Sequence, residues 1–175
     1  MATPGSPDGL YHRDTRYLSR LELRLNDAPL LLLSSNVQQD NVVLTVDLTN
    51  PDLSIAGRKA LLGEQIHINR RKYLWQDCCY ERLLVHNFDV AAHQFMLTIK
   101  FAADFADLFE VRGQRRANHG RVWGERRSEA SAALRHLGLD GVERVATLSF
   151  EPRPTQLDTG AARFALSLGP GEAMR

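Results

Sequence analysis

The densest chemistry in this sequence lies between Phe101 and Gly113, where Asp104, Asp107 and Glu110 recur every three residues with Phe105 and Phe109 among them. On a helix that spacing sets the three acids on roughly one face. Paired carboxylates are what acid–base cleavage of a glycosidic bond requires, but they must flank a sugar ring from two sides. Three acids on one short helix lie too close together for that. The plainer expectation is a structural turn whose acids cap backbone N–H groups or pair with Arg112, with contact to a sugar or a neighbouring domain as the alternative. A second charged group opens the chain, where Asp14 and Arg16 flank Thr15 with Tyr11 and Tyr17 outside them. Strand alternation puts Asp14 and Arg16 on one face, where they can pair at a sheet edge. Tyr11, Tyr17, Trp75 and Trp123 are the aromatic side chains on which a sugar could stack. Of these, Trp75 is expected to pack in the core and Trp123 to sit in a loop.

Other chemistries find little support. The six histidines form no HxH or HxxxH spacing, so no zinc site is indicated. His67 and His93 read as solvated residues on polar strand faces. The two cysteines, Cys78 and Cys79, are adjacent; their geometry opposes a bridge, and on a strand they point to opposite faces. They read as reduced thiols, one of them buried, in a reducing compartment. No nucleophile elbow, P-loop or dinucleotide fingerprint occurs, and no cofactor is indicated; Gly57 and Gly113 read as isolated turn glycines. Lys and Arg total 22 against 21 Asp and Glu, a formal net charge of +1. That balance gives no field to steer the chain onto nucleic acid or an anionic membrane. The runs Arg70-Arg71-Lys72, Arg115-Arg116 and Arg126-Arg127 read as solvated loop charges. No apolar run reaches the length of a membrane span and no secretion signal is visible, so a cytoplasmic location is the expectation.

The elements that must position these residues are strands. Leu21, Leu23 and Leu25 alternate with polar residues, Asn26-Asp27-Ala28-Pro29 is a turn cluster, and Leu30 to Leu33 resumes as the hairpin partner. Val42–Leu48, Glu64–Asn69 and Tyr80–Asn87 continue the theme, and Phe95, Leu97, Ile99 and Phe101 give the cleanest alternation. Asp140-Gly141 predicts a two-residue type I′ hairpin with arms near Ala133–Leu139 and Val142–Phe150. That pattern outweighs the helical propensity of Ser128 to Leu137. Phe164 to Leu168 is a last short strand, and Gln114 to Ala130 reads as a long mobile loop. The fold class is all-β: an antiparallel β-sandwich, supersandwich-like, with at most one or two short helical turns. Residues 1–8 are expected to be a flexible leader, 9–170 the sandwich, and 171–175 a stub.

Taken together, Gly9–Ser19, Leu32–Asn36, Thr45–Pro51, Tyr80–Leu83, Asp104–Gly113 and Gly138–Gly141 resemble the N-terminal domain of bacterial glycogen debranching enzyme-like proteins of the amylo-α-1,6-glucosidase type. The string Asp104-Phe105-Ala106-Asp107-Leu108-Phe109-Glu110-Val111-Arg112-Gly113 is its most specific motif. The resemblance runs in order from about Gly9 to Phe164. It implies a β-sandwich preceding an (α/α)-barrel glycosidase domain that carries the catalytic carboxylates. Gly169-Pro170-Gly171 falls where the sandwich would hand over to that barrel, so the chain reads as a domain cut at that boundary or a truncated paralogue. The expected role is a non-catalytic accessory domain of an α-glucan hydrolase, with Asp14, Arg16, Asp104, Asp107, Glu110 and Arg112 facing the barrel or its substrate cleft. An independent carbohydrate-binding module and a structural or homo-oligomerising domain are the alternatives.

Overall fold

A computed structural model of the chain describes residues 6–39, 42–55 and 58–175. Among these the expected class holds: the molecule is built of antiparallel strands with a single helical turn. The chain gathers into two compact units. One takes the described residues up to Leu23 together with Thr98–Phe164; the other takes Arg24–Leu97 with Ala165–Arg175.

Strands β1 (Leu10–His12) and β2 (Thr15–Leu18) form a hairpin. Next come β3 (Arg20–Leu25), β4 (Ala28–Pro29), β5 (Leu31–Val37), β6 (Val43–Thr49), β7 (Leu53–Ile55) and β8 (Arg58–Leu61). The long pair β9 (Ile66–Trp75) and β10 (Cys78–Asn87) is followed by β11 (His93–Ala102) and helix α1 (Leu108–Val111). Then β12 (Arg121–Arg126), β13 (Ser131–Leu137) and β14 (Glu143–Ser149) build a three-stranded sheet, and β15 (Gln156–Leu157), β16 (Ala161–Leu168) and β17 (Ala173–Met174) end the chain. One five-stranded sheet runs β17-β10-β9-β6-β5 and another β15-β16-β11-β3-β4.

Three tight hairpins turn on an X-Asp pair. Arg13-Asp14, Asn26-Asp27 and Gln76-Asp77 all sit at φ between 45° and 64°. Two consecutive residues with positive φ match the right-handed twist of the flanking strands, and Asn and Asp tolerate that region better than most side chains. The Asn26-Asp27 turn closes β3 on the two residues of β4 only. Beyond it Leu30 is buried outside any strand, while Leu31, Leu32 and Leu33 belong to β5 in the other five-stranded sheet and are exposed.

Several expectations give way here. The Asp140-Gly141 hairpin forms between Leu137 and Glu143, but not as a two-residue turn. Gly141 N–H donates to the Gly138 carbonyl and Gly141 lies at φ 73°. Leu139-Asp140 make a turn that Gly141 completes in the left-handed region, the three-residue loop with a glycine bulge. The loop expected over Gln114 to Ala130 contains β12, paired along its length with β13. The charged run Arg70-Arg71-Lys72 lies in strand β9. Arg70 is buried and holds Glu81 through two bonds, Nε at 2.8 Å and Nη2 at 2.9 Å, while Lys72 lies 3.2 Å from the same carboxylate. Residues 70, 72 and 81 share the sheet face of Ile66, Ile68 and Val85 through the β9–β10 register, so a carboxylate had to accompany the arginine into the core.

Each unit has its own apolar interior. In the first, Leu18, Phe101, Phe105, Ala132, Leu134 and Ala162 pack together, with Tyr17, Phe150 and Phe164 against them. In the second, Leu25, Leu48, Ile66, Ile68 and Leu168 are almost wholly inaccessible. Buried asparagines tie its loops. Asn87 donates from its amide to the carbonyls of Ala91, Leu168 and Gly169 and accepts from Asp89 N–H, and Asn50 similarly joins Pro51, Leu62 and Ile66. Residues 171–175, expected as a stub, include β17, which pairs with Val85 and His86. Neither cysteine is buried: Cys78 is exposed and Cys79 half-buried. His67 and His93 are not free in solvent, since His67 Nε2 lies 3.0 Å from Asp47 and His93 Nε2 2.5 Å from Asp89. Gly57 and residues 1–5 of the expected leader lie outside the described residues.

Candidate functional site

The acid-rich corner is assembled around a buried arginine. Arg16 sits on β2 with only 8% of its surface exposed. Its Nε and Nη2 donate to the two carboxylate oxygens of Asp104 at 3.1 and 2.5 Å, and Nη1 donates to the carbonyls of Ser6 and Asp8 at 2.7 and 3.3 Å. A planar guanidinium can make this set of bonds at once; an ammonium cannot. The Asp104 carboxylate raises the guanidinium above its ordinary pKa, against the lowering effect of burial. Gly9 makes room for the stem, because a Cβ there would stand 2.5 Å from Arg16 Cδ. Residues 6–8, expected as part of the leader, are thus held by Arg16, and Tyr11 O–H donates to the Pro7 carbonyl.

Main-chain bonds stitch the β1–β2 hairpin to the acidic segment. Arg16 N–H donates to Ala106 and Leu108 N–H to Asp14, with a bridge between Thr15 and Asp107. Asp14 is therefore a turn residue contributing its carbonyl, and Arg16 pairs with Asp104 instead of Asp14.

The three acids do not share a helix face. Phe105 lies at φ 51°, which breaks the chain between Asp104 and the helix. A left-handed phenylalanine costs roughly 1–2 kcal/mol, and packing holds it there: Phe105 is 2% exposed, edge-on to Tyr17 and stacked on His136. The helix begins after Asp107 and lasts four residues. Asp107 is its N-cap, accepting from Phe109 and Glu110 N–H at 2.9 Å each, and Glu110 Oε2 accepts in return from Asp107 N–H at 3.1 Å. This is a reciprocal capping box. The Glu110 N–H, with help from Arg116, holds the Asp107 carboxyl below its usual range. Arg116, not Arg112, is the ion-pair partner of Asp107. Arg112 is the exposed C-cap, its own N–H bonded to the Leu108 carbonyl.

His119 closes the corner. Its Nδ1 lies 2.8 Å from Glu110 Oε1 and its Nε2 2.8 Å from the Asp104 carbonyl. Both partners are oxygen acceptors, so both bonds form together only when each ring nitrogen carries a proton. The ring stacks on His136, a buried residue whose Nε2 donates to the His119 carbonyl at 2.6 Å.

This arrangement is a brace. Asp104, Asp107 and Glu110 are each committed to internal bonds, and none faces a second carboxylate across a cleft as glycoside cleavage needs. No group of three or more His, Cys, Asp or Glu side chains among the described residues is placed to hold a metal ion. What the brace presents outward is Phe109, 63% exposed on the helical turn, with exposed Arg112 three residues further on.

The stacking candidates separate. Tyr11 and Tyr17 are half-buried, and Trp123 lies on β12 under the Arg121 guanidinium. Trp75, expected in the core, is 63% exposed because the β9–β10 hairpin carries it past the buried end of its sheet. Sequence reasoning missed its neighbours Tyr73 and Tyr80, which oppose each other in register and stack at 4.8 Å. It also missed Arg116, His119 and His136. Tyr73 and Trp75 did carry a signal, being two residues apart on one face of a strand. The histidines carried none, since loop closure alone brings them to the corner.

The family model for the N-terminal domain of (some) glycogen debranching enzymes matches residues 1–175. No curated protein matches the chain.

Proposed function

The chain belongs to the family of N-terminal domains of glycogen debranching enzymes, and from that premise we propose that it is a non-catalytic accessory domain which packs on the catalytic domain of an α-glucan hydrolase. The observation that carries this reading is the brace. Four interactions fix the short turn 107–112: the capping box, the Arg116 ion pair, the His119 bridge and the main-chain bond to Asp14. All of them hold still a segment whose outward residue is an exposed phenylalanine. Rigid presentation of an aromatic anchor with an arginine nearby suits a contact with another protein surface. The partner in this reading is the (α/α)-barrel that would carry the chemistry, with Phe109 and Arg112 as the contact and Asp14, Arg16, Asp104, Asp107 and Glu110 as its support. The test is debranching activity and domain association in the full-length enzyme carrying Phe109→Ala or Arg112→Ala. At least a tenfold loss of kcat/KM or of association, with the melting transition of this domain unchanged, is expected; full activity and association in both variants would refute the reading.

A second reading rests on Tyr73, Trp75 and Tyr80. Three exposed aromatics on one face of a hairpin are a feature of carbohydrate-binding surfaces, where sugar rings meet apolar ring faces. In this reading the α-glucan contact lies at the β9–β10 hairpin.

A further inference from the structure

The His119 ring is held between two oxygens on different segments of the corner, Glu110 Oε1 at Nδ1 and the Asp104 carbonyl at Nε2, each at 2.8 Å. A carbonyl and a carboxylate only accept, and imidazole is a stronger base than a carboxylate, so a proton between His119 and Glu110 belongs to the ring. The ring makes both bonds as an imidazolium and can make only one as a neutral imidazole. Each bond restrains a different part of the brace. Glu110 Oε1 is the second oxygen of the carboxylate whose Oε2 accepts from Asp107 N–H in the capping box, so His119 steadies the α1 turn. The Asp104 carbonyl belongs to the peptide that enters the left-handed Phe105.

The other charged and titratable groups around the ring are already committed. His136, stacked on His119 at 4.9 Å, donates from Nε2 to the His119 carbonyl, and its buried Nδ1 has no partner among the described residues. A second proton on His136 would be a buried, unmet N–H beside a charged ring. Arg144, opposite His136 in register, is paired with Asp140, and Arg135 on the same strand with Glu125 and Glu143. Arg16 is bound to Asp104, Arg116 to Asp107, and Arg121 lies over Trp123. Tyr17 meets the stack edge-on at Phe105, and His12 lies edge-on to Tyr17.

We propose that His119 is a proton-operated latch on this corner, closed while its ring carries two protons and released as pH rises and one of them is lost. The neutral ring keeps its proton on Nδ1, since a bare nitrogen there would set a lone pair against the Glu110 carboxylate. The bond to the Asp104 carbonyl is therefore the one given up. That frees the peptide entering Phe105 and removes the charge assistance from the Glu110 contact, so the α1 turn is held less firmly. The lost proton passes to solvent, which reaches the ring because the His119 side chain is 33% exposed. The latch itself follows from this geometry; its use, to set how firmly Phe109 is presented, rests on the docking reading above.

Nitrogen-15 NMR of the histidine rings in the 175-residue chain tests this, combined with amide exchange, between about pH 5.5 and about pH 8.5, on either side of the ordinary histidine range. The His119 signals are expected to pass from two protonated nitrogens to a single proton on Nδ1. Over the same interval the protection of the Asp107, Phe109 and Glu110 amides, corrected for the intrinsic pH dependence of exchange, should fall about tenfold, the effect of losing one charge-assisted hydrogen bond. His119→Phe keeps a ring against His136 without a titrating proton and should abolish that fall. His119→Gln is the second variant should the first fail to fold. Protection that stays constant while the ring titrates would overturn the proposal. So would a fall that persists in a folded His119 variant, or a ring that stays singly protonated throughout. Docking is read separately through Phe109→Ala, so either idea can fail while the other stands.

Discussion

Truncating the two halves of the Arg16–Asp104 pair should have unequal effects, and the order follows from their surroundings. The Arg16 side chain is 10% exposed and that of Asp104 39%. Removing one partner of a fully buried pair costs about 3–5 kcal/mol, whereas an exposed pair contributes about 0–1 kcal/mol. Asp104→Ala leaves the guanidinium in place, largely shut off from water, with the Ser6 and Asp8 carbonyls and Tyr11 as partners and no carboxylate. A cost of about 2–3 kcal/mol is expected, near the buried limit. Arg16→Met keeps the stem against Gly9 and strands only groups that water can reach: the Asp104 carboxylate and two carbonyls near the surface. Its cost should be about 1–2 kcal/mol. With a urea m-value of about 2 kcal/mol/M, the midpoints should fall by about 1–1.5 M for Asp104→Ala and about 0.5–1 M for Arg16→Met. Arg16→Lys should not rescue, because one ammonium cannot span the carboxylate and both carbonyls. Limited proteolysis near residues 6–9 should accelerate in both Arg16 variants. Equal midpoints, or a larger drop for Arg16→Met, would refute the reasoning that burial of the guanidinium sets the cost.

Two further outcomes follow from the geometry. Arg144 and the Val142 N–H hold the Asp140 carboxyl down to about 2, below the ordinary value of about 3.9 expected unfolded. Its stabilising contribution is therefore complete above about pH 4 and lost as pH falls through 2, so the stability gap between wild type and Asp140→Asn should close between those values. Intrinsic fluorescence titrated with α-glucan oligosaccharides should change at millimolar sugar and stop changing in Trp75→Ala if the hairpin is a carbohydrate surface; a flat titration leaves docking as the role of this domain.

Alternation was enough to recognise the fold wherever a strand has one wet and one dry face. Phe95 to Phe101 is the clear instance, with all four apolar residues buried as expected. The outer part of β9 could not be found that way. Beyond Ile68 the strand carries arginines, lysine and aromatics, because its environment changes from core to open surface along one continuous element. Its turn, Gln76-Asp77, lacks the glycine that usually marks a tight hairpin. At the candidate site, the residues of the acidic motif were legible but their arrangement was not. Three acids at helical spacing predict one face, and the left-handed Phe105 cancels that prediction for Asp104. Local propensity cannot reveal a backbone conformation that only packing against Tyr17 and His136 maintains.

The interleaving of the two units has a consequence for biosynthesis. The first unit takes its opening strands from residues up to Leu23 and its remainder from Thr98–Phe164. The second spans Arg24–Leu97 but also needs Ala165–Arg175, where β17 and the carbonyls held by Asn87 lie. Neither can close while the ribosome still holds the last third of the chain. The outer side of nascent β10 and the Asn87 amide must wait in the open for segments translated much later, and chaperone demand should be greatest during that interval.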